Sequence, residues 1–266
     1  MKFDHLSIKV IALVVGVAVA AACGNRPSKK IQLSTEQSAE DIIQYPIPTA
    51  YEVVNLVNRT GAAYIIEITN PTSKVESYLT EAEKAVNLGI YSADLAYVTT
   101  YNLKQETMDY LKVLKKLSDE LHVSANFNAA LAQEVENNIE NKDSLISIIS
   151  RSFSETYSFL VNNGKDNTSI QVLTGMWIEG LYIATYTTTT SSNPTDLLQI
   201  VANQKKSLET LTEIIEKNAD APEIAALLTL LDPVIAEYSS VDKTVDLPKA
   251  RQIHSVIEKI RSEIIK

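Results

Sequence analysis

Two segments of the chain place one acidic residue and two tyrosines at the same spacing, a combination that could bind a polar ligand. In each segment the tyrosines follow the acid by three and seven residues. The two sets are Asp94, Tyr97 and Tyr101, and Glu179, Tyr182 and Tyr186. Steps of three and four residues put side chains on one face of a helix. Each set therefore predicts a stripe of one carboxylate and two phenols, whose oxygens could hold a small ligand or a cation.

The surroundings of both acids are almost free of charge, which predicts that the acids are buried. Asp94 is the only charged residue between positions 85 and 103, and Glu179 is the only one between positions 167 and 195. We expect helices of this composition at the centre of a bundle. A buried carboxylate costs free energy unless it is paired, hydrogen-bonded or protonated. Each acid must therefore meet one of these three conditions.

Two interpretations of the acidic stripes remain open. In the first, the two acids, their four tyrosines and Trp177 line a ligand pocket between two central helices. In the second, the role is structural: each carboxylate accepts a hydrogen bond from a tyrosine or pairs with a basic residue such as Arg151. Gly175 and Gly180 lie beside Glu179, and they predict the close approach of another helix.

Motifs that would indicate an enzyme are missing from the sequence. It contains no Gly-x-Ser-x-Gly, no His-Glu-x-x-His, no phosphate-binding glycine loop and no dinucleotide fingerprint. Two carboxylates alone fall short of a metal site, and the Glu-x-x-His pairs of a di-metal bundle are absent. We therefore expect a protein without catalytic residues, a metal or a cofactor.

The fold expected from the apolar periodicity is all-α, a multi-helix bundle of about eight to nine antiparallel helices. Seven glycines and eight prolines are few for this length, which favours long helices over a β-sandwich. The expected helices cover 49–57, 72–88, 92–121 with a break at Asn102, 124–141, 143–162, 168–187, and three more after Pro194, after Pro222 and over 253–264. The similarity of the two acidic stripes adds the hypothesis of two pseudo-repeated halves.

Glycines, polar caps and apolar stripes set the expected ends and faces of these helices. Gly89 is expected to stop the second helix, and Asp143 to cap the helix that follows it. Tyr64–Thr69 is the only strand-like run, and we interpret it as a helix or an extended connector because a lone strand has nothing to pair with. Three apolar stripes predict core faces. They are Leu145, Ile149, Phe153, Tyr157 and Leu160; Leu197, Val201, Leu208, Leu211 and Ile215; and Ile253, Ile257, Ile260 and Ile264.

The N-terminal segment is similar to a bacterial lipoprotein signal that ends at Cys23, the only cysteine. Lys2 and Lys9 precede a run without polar side chains, 10–22, which closes on three alanines. A transmembrane helix needs about 20 apolar residues, so this run is too short to be one. The predicted segments are a signal peptide at 1–22, a lipidated Cys23 with a tether at 23–48, and a helical domain at 49–266. The alternative is an ordinary secretory signal that leaves a free thiol.

The charge of the chain limits its possible partners, and the residues after Cys23 indicate its location. The formal net charge of −9 argues against a nucleic acid, whose phosphates it would repel. Arg26, Lys29 and Lys30 lie close to the anchor and could contact lipid head groups. Gly24 stands where an inner-membrane retention signal would have aspartate, and the acidic residues of surface-exported lipoproteins are also missing there. We expect the periplasmic face of the outer membrane, with surface exposure as the alternative.

Five short segments carry a family resemblance. They are Asn87-Leu88-Gly89-Ile90-Tyr91, Asp94-Leu95-Ala96-Tyr97, Lys104-Gln105-Glu106-Thr107-Met108, Asn141-Lys142-Asp143-Ser144-Leu145 and Trp177-Ile178-Glu179-Gly180-Leu181-Tyr182. These segments resemble a group of exported helical lipoproteins of Bacteroidota, over residues 45–190. The group has no assigned activity, so the resemblance implies a lipid anchor but no catalytic residues. Asp143-Ser144-Leu145 also resembles the sites at which Bacteroidota attach O-glycans, which makes Ser144 a candidate glycosylation site.

Together these patterns predict a membrane-anchored lipoprotein of the bacterial envelope that acts as a non-enzymatic binding or scaffold module. Its expected partners are membrane lipid, through acylated Cys23, and another envelope protein. The alternative is a protein that binds a small ligand or a cation in a carboxylate and tyrosine pocket between the two central helices.

Overall fold

The structure, a computed structural model, describes residues 47–48, 50–123 and 129–266. The predicted signal peptide, Cys23 and almost all of the tether lie outside these residues. Within the described part, the chain forms nine α-helices and two short 3-10 helices, and no strand is present there. The α-helices are α1 Ala50–Arg59, α2 Glu81–Thr100, α3 Lys104–Glu120, α4 Ala129–Asn137, α5 Lys142–Asn162, α6 Asp166–Thr190, α7 Thr195–Lys217, α8 Pro222–Ser239 and α9 Leu247–Ile264. The expected all-α bundle is confirmed.

The centre of the bundle is the pair formed by α2 and α6, the two helices that carry the acidic stripes. Most residues of both helices are buried. α3 packs against α2, α7 and α9 pack against α6, and α1 and α5 contact both central helices. The scarcity of charge therefore identified the central helices correctly.

Two glycines let α2 and α6 approach each other closely. A Cβ atom on Gly89 would lie 2.7 Å from the Met176 nitrogen and would overlap the Val172 carbonyl oxygen. A Cβ atom on Gly175 would overlap the Val86 carbonyl in the same way. Each glycine faces the carbonyl three residues before the opposite glycine, so the crossing is reciprocal.

Gly89 was expected to stop a helix, and this prediction is wrong. α2 runs through Gly89 to Thr100, because the space that a side chain would need is filled by the backbone of α6. The helix instead begins at a capping box. The Thr80 hydroxyl accepts a hydrogen bond from the Glu83 nitrogen at 3.1 Å, and the Glu83 carboxylate accepts one from the Thr80 nitrogen at 2.9 Å.

Other helix ends follow the expected turn chemistry more closely. The break at Asn102 is confirmed, since this residue has a φ of 59° between α2 and α3. Gly164 follows α5 with a φ of 67°. The predicted cap at Asp143 is two residues too late: Asn141 caps α5, and its side-chain oxygen accepts a hydrogen bond from the Ser144 nitrogen at 3.1 Å.

The apolar stripes of α5, α7 and α9 face the core as predicted. All their members are buried except Tyr157 and Ile264, which are half-buried. The α7 and α9 stripes join α6 in one apolar cluster, and the α5 stripe joins α2 and α3 in another. The core thus consists of two clusters that meet at the central helix pair.

The segment between α1 and α2, residues 60–80, is irregular, and we refer to it as the connector. It contains the two 3-10 helices, Ile66–Ile68 and Thr72–Ser77, with extended residues between them. The helix expected over 72–88 therefore splits into a 3-10 turn and the start of α2. The connector also reaches the end of α9, because the Lys74 ammonium group donates a hydrogen bond to the Ile265 carbonyl at 2.5 Å.

Candidate functional site

The two acids of the predicted pocket lie together at the centre of the molecule, beyond the glycine crossing. Asp94 comes from α2 and Glu179 from α6, and both side chains are completely buried. α9 adds a third charged group, Arg261, which is 7 % exposed. We call these three residues the acid–arginine cluster. The sequence predicted the two acids, but it did not identify the arginine.

Arg261 binds Glu179 through two parallel hydrogen bonds. Its Nε atom donates to one carboxylate oxygen at 2.5 Å, and its Nη2 atom donates to the other at 2.8 Å. The guanidinium also lies over the ring of Tyr182, 4.2 Å from the ring centroid. Bidentate geometry and exclusion of water make this one of the stronger kinds of ion pair. Breaking such a pair on one side leaves a buried, uncompensated charge.

Asp94 has a weaker set of partners. Its Oδ2 atom accepts a hydrogen bond from the backbone nitrogen of Asn70 at 3.1 Å. Its Oδ1 atom is buried and has no hydrogen-bond partner among the described residues. Burial, followed by the negative charge of Glu179, holds the pKa of Asp94 well above its usual range, although Arg261 and the Asn70 amide act against this. The neutral form of Asp94 is therefore favoured.

The tyrosines around Asp94 bind the backbone of the connector. They come from α2 and α3 and act both as donors and as an acceptor. The Tyr91 hydroxyl donates to the Pro71 carbonyl at 2.9 Å, the Tyr101 hydroxyl to Ala62 at 2.8 Å and the Tyr110 hydroxyl to Asn70 at 2.9 Å, whereas the Tyr97 hydroxyl accepts from the Ile65 nitrogen at 2.9 Å. The connector is irregular, so these backbone groups have no partner in a regular helix or sheet. The tyrosine hydroxyls supply the missing hydrogen bonds.

Arg261 also takes part in holding the connector. Its Nη2 atom donates to the Ile68 carbonyl at 3.0 Å while it binds Glu179. Two positions further along, the Asn70 nitrogen donates to Asp94. Side chains from α2, α3 and α9 thus fix one irregular segment from three directions.

The tyrosines that follow Glu179 have a different environment. Tyr182 stacks on His254 of α9 with 5.6 Å between ring centroids, and Tyr186 meets the same ring edge-on at 5.5 Å. The Thr185 hydroxyl lies 3.2 Å from His254 Nδ1. Burial lowers the pKa of His254, and the charge of Glu258 acts in the opposite direction. Tyr182 and Tyr186 therefore pack on α9, whereas Tyr97 and Tyr101 contact the connector.

The remaining sequence candidates lie in separate places. Trp177 is buried in the apolar cluster around α6, and its indole nitrogen has no partner among the described residues. Arg151 lies at the surface, where it binds both Glu134 oxygens at 2.7 Å, so it is not the partner of either buried acid. Ser144 lies in the first turn of α5 and is half-exposed. Its glycosylation stays a prediction.

The residue that the sequence interpretation missed, Arg261, carried a weak signal. It lies four residues after Ile257 and three before Ile264, on the edge of the apolar stripe of α9. A basic residue on such an edge can turn either to solvent or to the core. Only the position of α9 against α6 decides between the two.

The described residues show little open space for a ligand. A cavity of about 10 Å³ lies between α2, α5 and α6, lined by apolar groups such as Leu88, Phe153 and Met176; a volume of this size holds about one water molecule. Within the described ranges, no three His, Cys, Asp or Glu residues are grouped so that they could hold a metal ion. In the same part of the chain, no helix combines the length and hydropathy needed to cross a membrane.

Comparison of the chain with protein-family models, with curated proteins and with solved structures gave no match. The resemblance to lipoproteins of Bacteroidota stays a prediction. A functional proposal for this protein rests on its geometry and on its sequence patterns.

Proposed function

We propose that the protein is a lipid-anchored lipoprotein of the bacterial envelope whose helical body is a non-enzymatic binding module, with the connector as its contact surface. The anchor is the part of this proposal that rests on the sequence pattern ending at Cys23. The observation that carries the binding role is the polar network of α2, α3 and α9, which holds the connector in one conformation.

The length of the connector supports this role. Twenty-one residues join α1 to α2, whereas helices in bundles are usually joined by about 2–8 residues. Long irregular segments on a rigid scaffold commonly carry binding functions. A segment that is fixed in advance loses less conformational entropy when it binds. The buried hydrogen bonds to the connector would give this advantage to a surface segment.

The outer side of the connector presents two large apolar residues. Ile66 is 77 % exposed and Leu79 is 79 % exposed. The neighbouring Ile65 nitrogen is bound by Tyr97, and the Leu79 nitrogen donates to the Glu83 carboxylate at 3.0 Å. Exposed apolar side chains on a rigid backbone suit contact with another protein, so we assign the partner as an envelope protein with an apolar contact patch.

Site-specific crosslinking in intact cells tests the contact surface. A photo-crosslinking amino acid would replace Ile66 or Leu79, with Glu209 on the exposed side of α7 as the matched control position. We expect an adduct of one mass from Ile66 or Leu79 and none from Glu209. Ile66→Ser with unchanged stability should weaken the same adduct. Equal crosslinking from all three positions, or from none, would contradict the proposal.

Membrane fractionation tests the anchor separately. Cys23→Ser should leave a folded body that no longer fractionates with the outer membrane, because stable anchoring needs about two acyl chains. Protease treatment of intact cells tests the predicted periplasmic face. Release of the body without lysis would show that the protein is on the cell surface instead.

One observation favours a second candidate function, binding of a small ligand or a cation at the acidic cluster. Asp94 Oδ1 is buried and has no hydrogen-bond partner among the residues that the structure describes. Thermal unfolding with Ca²⁺, Mg²⁺ or K⁺ tests this candidate, with Asp94→Asn as the control. A cation that raises the melting temperature of the wild type but not of Asp94→Asn would support it.

A further inference from the structure

The acid–arginine cluster contains more negative than positive groups. Asp94 and Glu179 are both 0 % exposed, and Arg261 is the cation that lies between them and the connector. Both Glu179 oxygens accept hydrogen bonds from Arg261, so the guanidinium is the counter-ion of this carboxylate. A second ionised carboxylate beside it would have no cation of its own within the described part of the chain, and an uncompensated charge away from water is costly.

The hydrogen bonds of Asp94 point to how the cluster avoids this cost. Its Oδ2 atom accepts from the Asn70 nitrogen, and no donor in the described ranges is directed at its Oδ1 atom. Asn70, which binds Asp94, lies two residues after Ile68, and the Ile68 carbonyl shares the Arg261 guanidinium with Glu179. The two carboxyl groups therefore lie in one buried cluster. A proton on Oδ1 converts an acceptor without a donor into a donor toward Glu179. The geometry therefore accommodates one proton, on Asp94 Oδ1.

We propose that Asp94 and Glu179 form a proton-binding site that keeps one proton on Asp94 Oδ1, and that this proton holds the connector against α2. When the proton leaves, two carboxylates face each other with one guanidinium. Their repulsion drives Asp94 away from Glu179, and this displacement breaks the bond from Asn70 to Asp94. The connector is then released from α2 at Asn70, whereas Tyr91, Tyr97 and Tyr101 keep their bonds to it. This device does not depend on the proposed binding function.

The other titratable groups that face the cluster stay in one state. Burial raises the pKa of each surrounding phenol, so all of them remain neutral over the accessible pH range. These phenols are Tyr91 on α2, Tyr110 on α3, Tyr182 on α6, and Tyr64 and Tyr78 on the connector. Arg261 remains a cation, because the nearby Glu179 carboxylate raises its pKa. Asp94 is therefore the group that changes state.

The sign of the pH dependence follows from this assignment. Above the ordinary carboxyl pKa of about 3.9, the unfolded chain has lost the proton that the folded chain still holds. Folding stability contributed by this site is therefore complete at low pH and is lost as pH rises toward the raised pKa of Asp94. Each pH unit in this window multiplies the unfolding constant of the wild type by up to about ten.

Asp94→Asn is the decisive variant, because an amide copies the protonated acid. Its NH₂ group can donate to Glu179, and its oxygen can accept from the Asn70 nitrogen. Urea unfolding of the full-length protein would be compared between pH 5 and pH 9. We expect the ratio of the wild-type to the Asp94→Asn unfolding constant to rise by up to about tenfold per pH unit. A ratio that is constant with pH would overturn the proposal.

Glu179→Gln is the matched control, because it removes one charge from the same pair but also leaves Arg261 without its bidentate partner. It should raise the unfolding constant at every pH, whereas Asp94→Asn should not. Equal losses for the two variants would overturn the assignment of the proton to Asp94. Recovery of wild-type stability at pH 9 on addition of Ca²⁺ or Mg²⁺ would also overturn it, because a cation would then be the natural occupant.

Hydrogen exchange at the connector tests the release. The amides of Ile65 and Asn70 donate to Tyr97 and Asp94. At alkaline pH, the protection factor of the Asn70 amide should fall at least tenfold in the wild type and stay constant in Asp94→Asn. The protection factor of the Ile65 amide, which Tyr97 binds, should stay constant in both proteins and is the internal control. Loss of protection in both proteins, or in neither, would contradict a release controlled by this proton.

Discussion

The α2 stripe and the α6 stripe have the same spacing of one acid and two tyrosines, yet they make different contacts. Asp94, Tyr97 and Tyr101 contact the backbone of the connector. Glu179 and Tyr182 instead contact the side chains of α9. The common pattern specifies which side chains are buried, but the neighbouring segment determines what they bind. The α2 stripe therefore holds the backbone of the connector, whereas the α6 stripe packs against the side chains of another helix.

The glycine crossing holds both stripes in place, and breaking it should have the largest effect. Gly175→Ala forces a Cβ atom into the Val86 carbonyl, a backbone group that cannot turn away. We expect a loss of at least about 3 kcal/mol in the free energy of unfolding, measured with urea. Gly180→Ala is the control, since its Cβ would lie at an ordinary 3.7 Å from Ala50. Similar losses in the two variants would show that the close crossing is not required.

Removing the cation of the α6 stripe should have the next largest effect. Arg261→Met leaves Glu179 buried without a partner, and we expect a loss of about 3–5 kcal/mol in the free energy of unfolding. Arg251→Met, at an exposed position of the same helix, should change the stability by less than about 0.5 kcal/mol. If the Arg261 variant stayed as stable as the Arg251 variant, the cluster would not have the central role that we assign to it.

Removing one hydroxyl from each stripe sharpens the comparison. Tyr97→Phe leaves the Ile65 nitrogen without its acceptor, and we expect a loss of about 1–3 kcal/mol. Tyr182→Phe should cost less than about 0.5 kcal/mol, because the contacts of Tyr182 with Arg261 and His254 are made through the ring. Chemical unfolding of both variants gives the two values. Equal losses would show that the hydroxyl groups of the two stripes do not differ in their contribution to stability.

The smallest expected effect concerns His254, the α9 residue on which the α6 stripe packs. Its contribution to stability should depend on pH with a sign opposite to that of Asp94. Burial lowers the pKa of His254, so the folded chain favours the neutral ring. Stability from this residue is present above the ordinary pKa of about 6.5 and is lost as pH falls through the lowered value. His254→Gln should flatten this acid-side loss in thermal unfolding curves and leave the alkaline side unchanged. A change on the alkaline side would assign that titration to His254 rather than to Asp94.

The sequence was most informative where composition alone determines burial. The lack of charge around Asp94 and Glu179 identified the central helices, and the apolar stripes identified the core faces of α5, α7 and α9. Gly89 misled the prediction, because a glycine can end a helix or admit a neighbouring backbone, and only the presence of α6 distinguishes the two. Arg261 could not be assigned either, since its partner lies 82 residues earlier in the chain.

That separation along the chain has a consequence for biogenesis. A ribosome adds the acids of α2 and α6 to the growing chain before it adds the α9 arginine. Until α9 is complete, Glu179 lacks the guanidinium that binds it, and the Ile68 carbonyl lacks the same donor. Assembly of the acid–arginine cluster therefore has to wait for α9, whereas the tyrosines of α2 and α3 can bind the connector earlier.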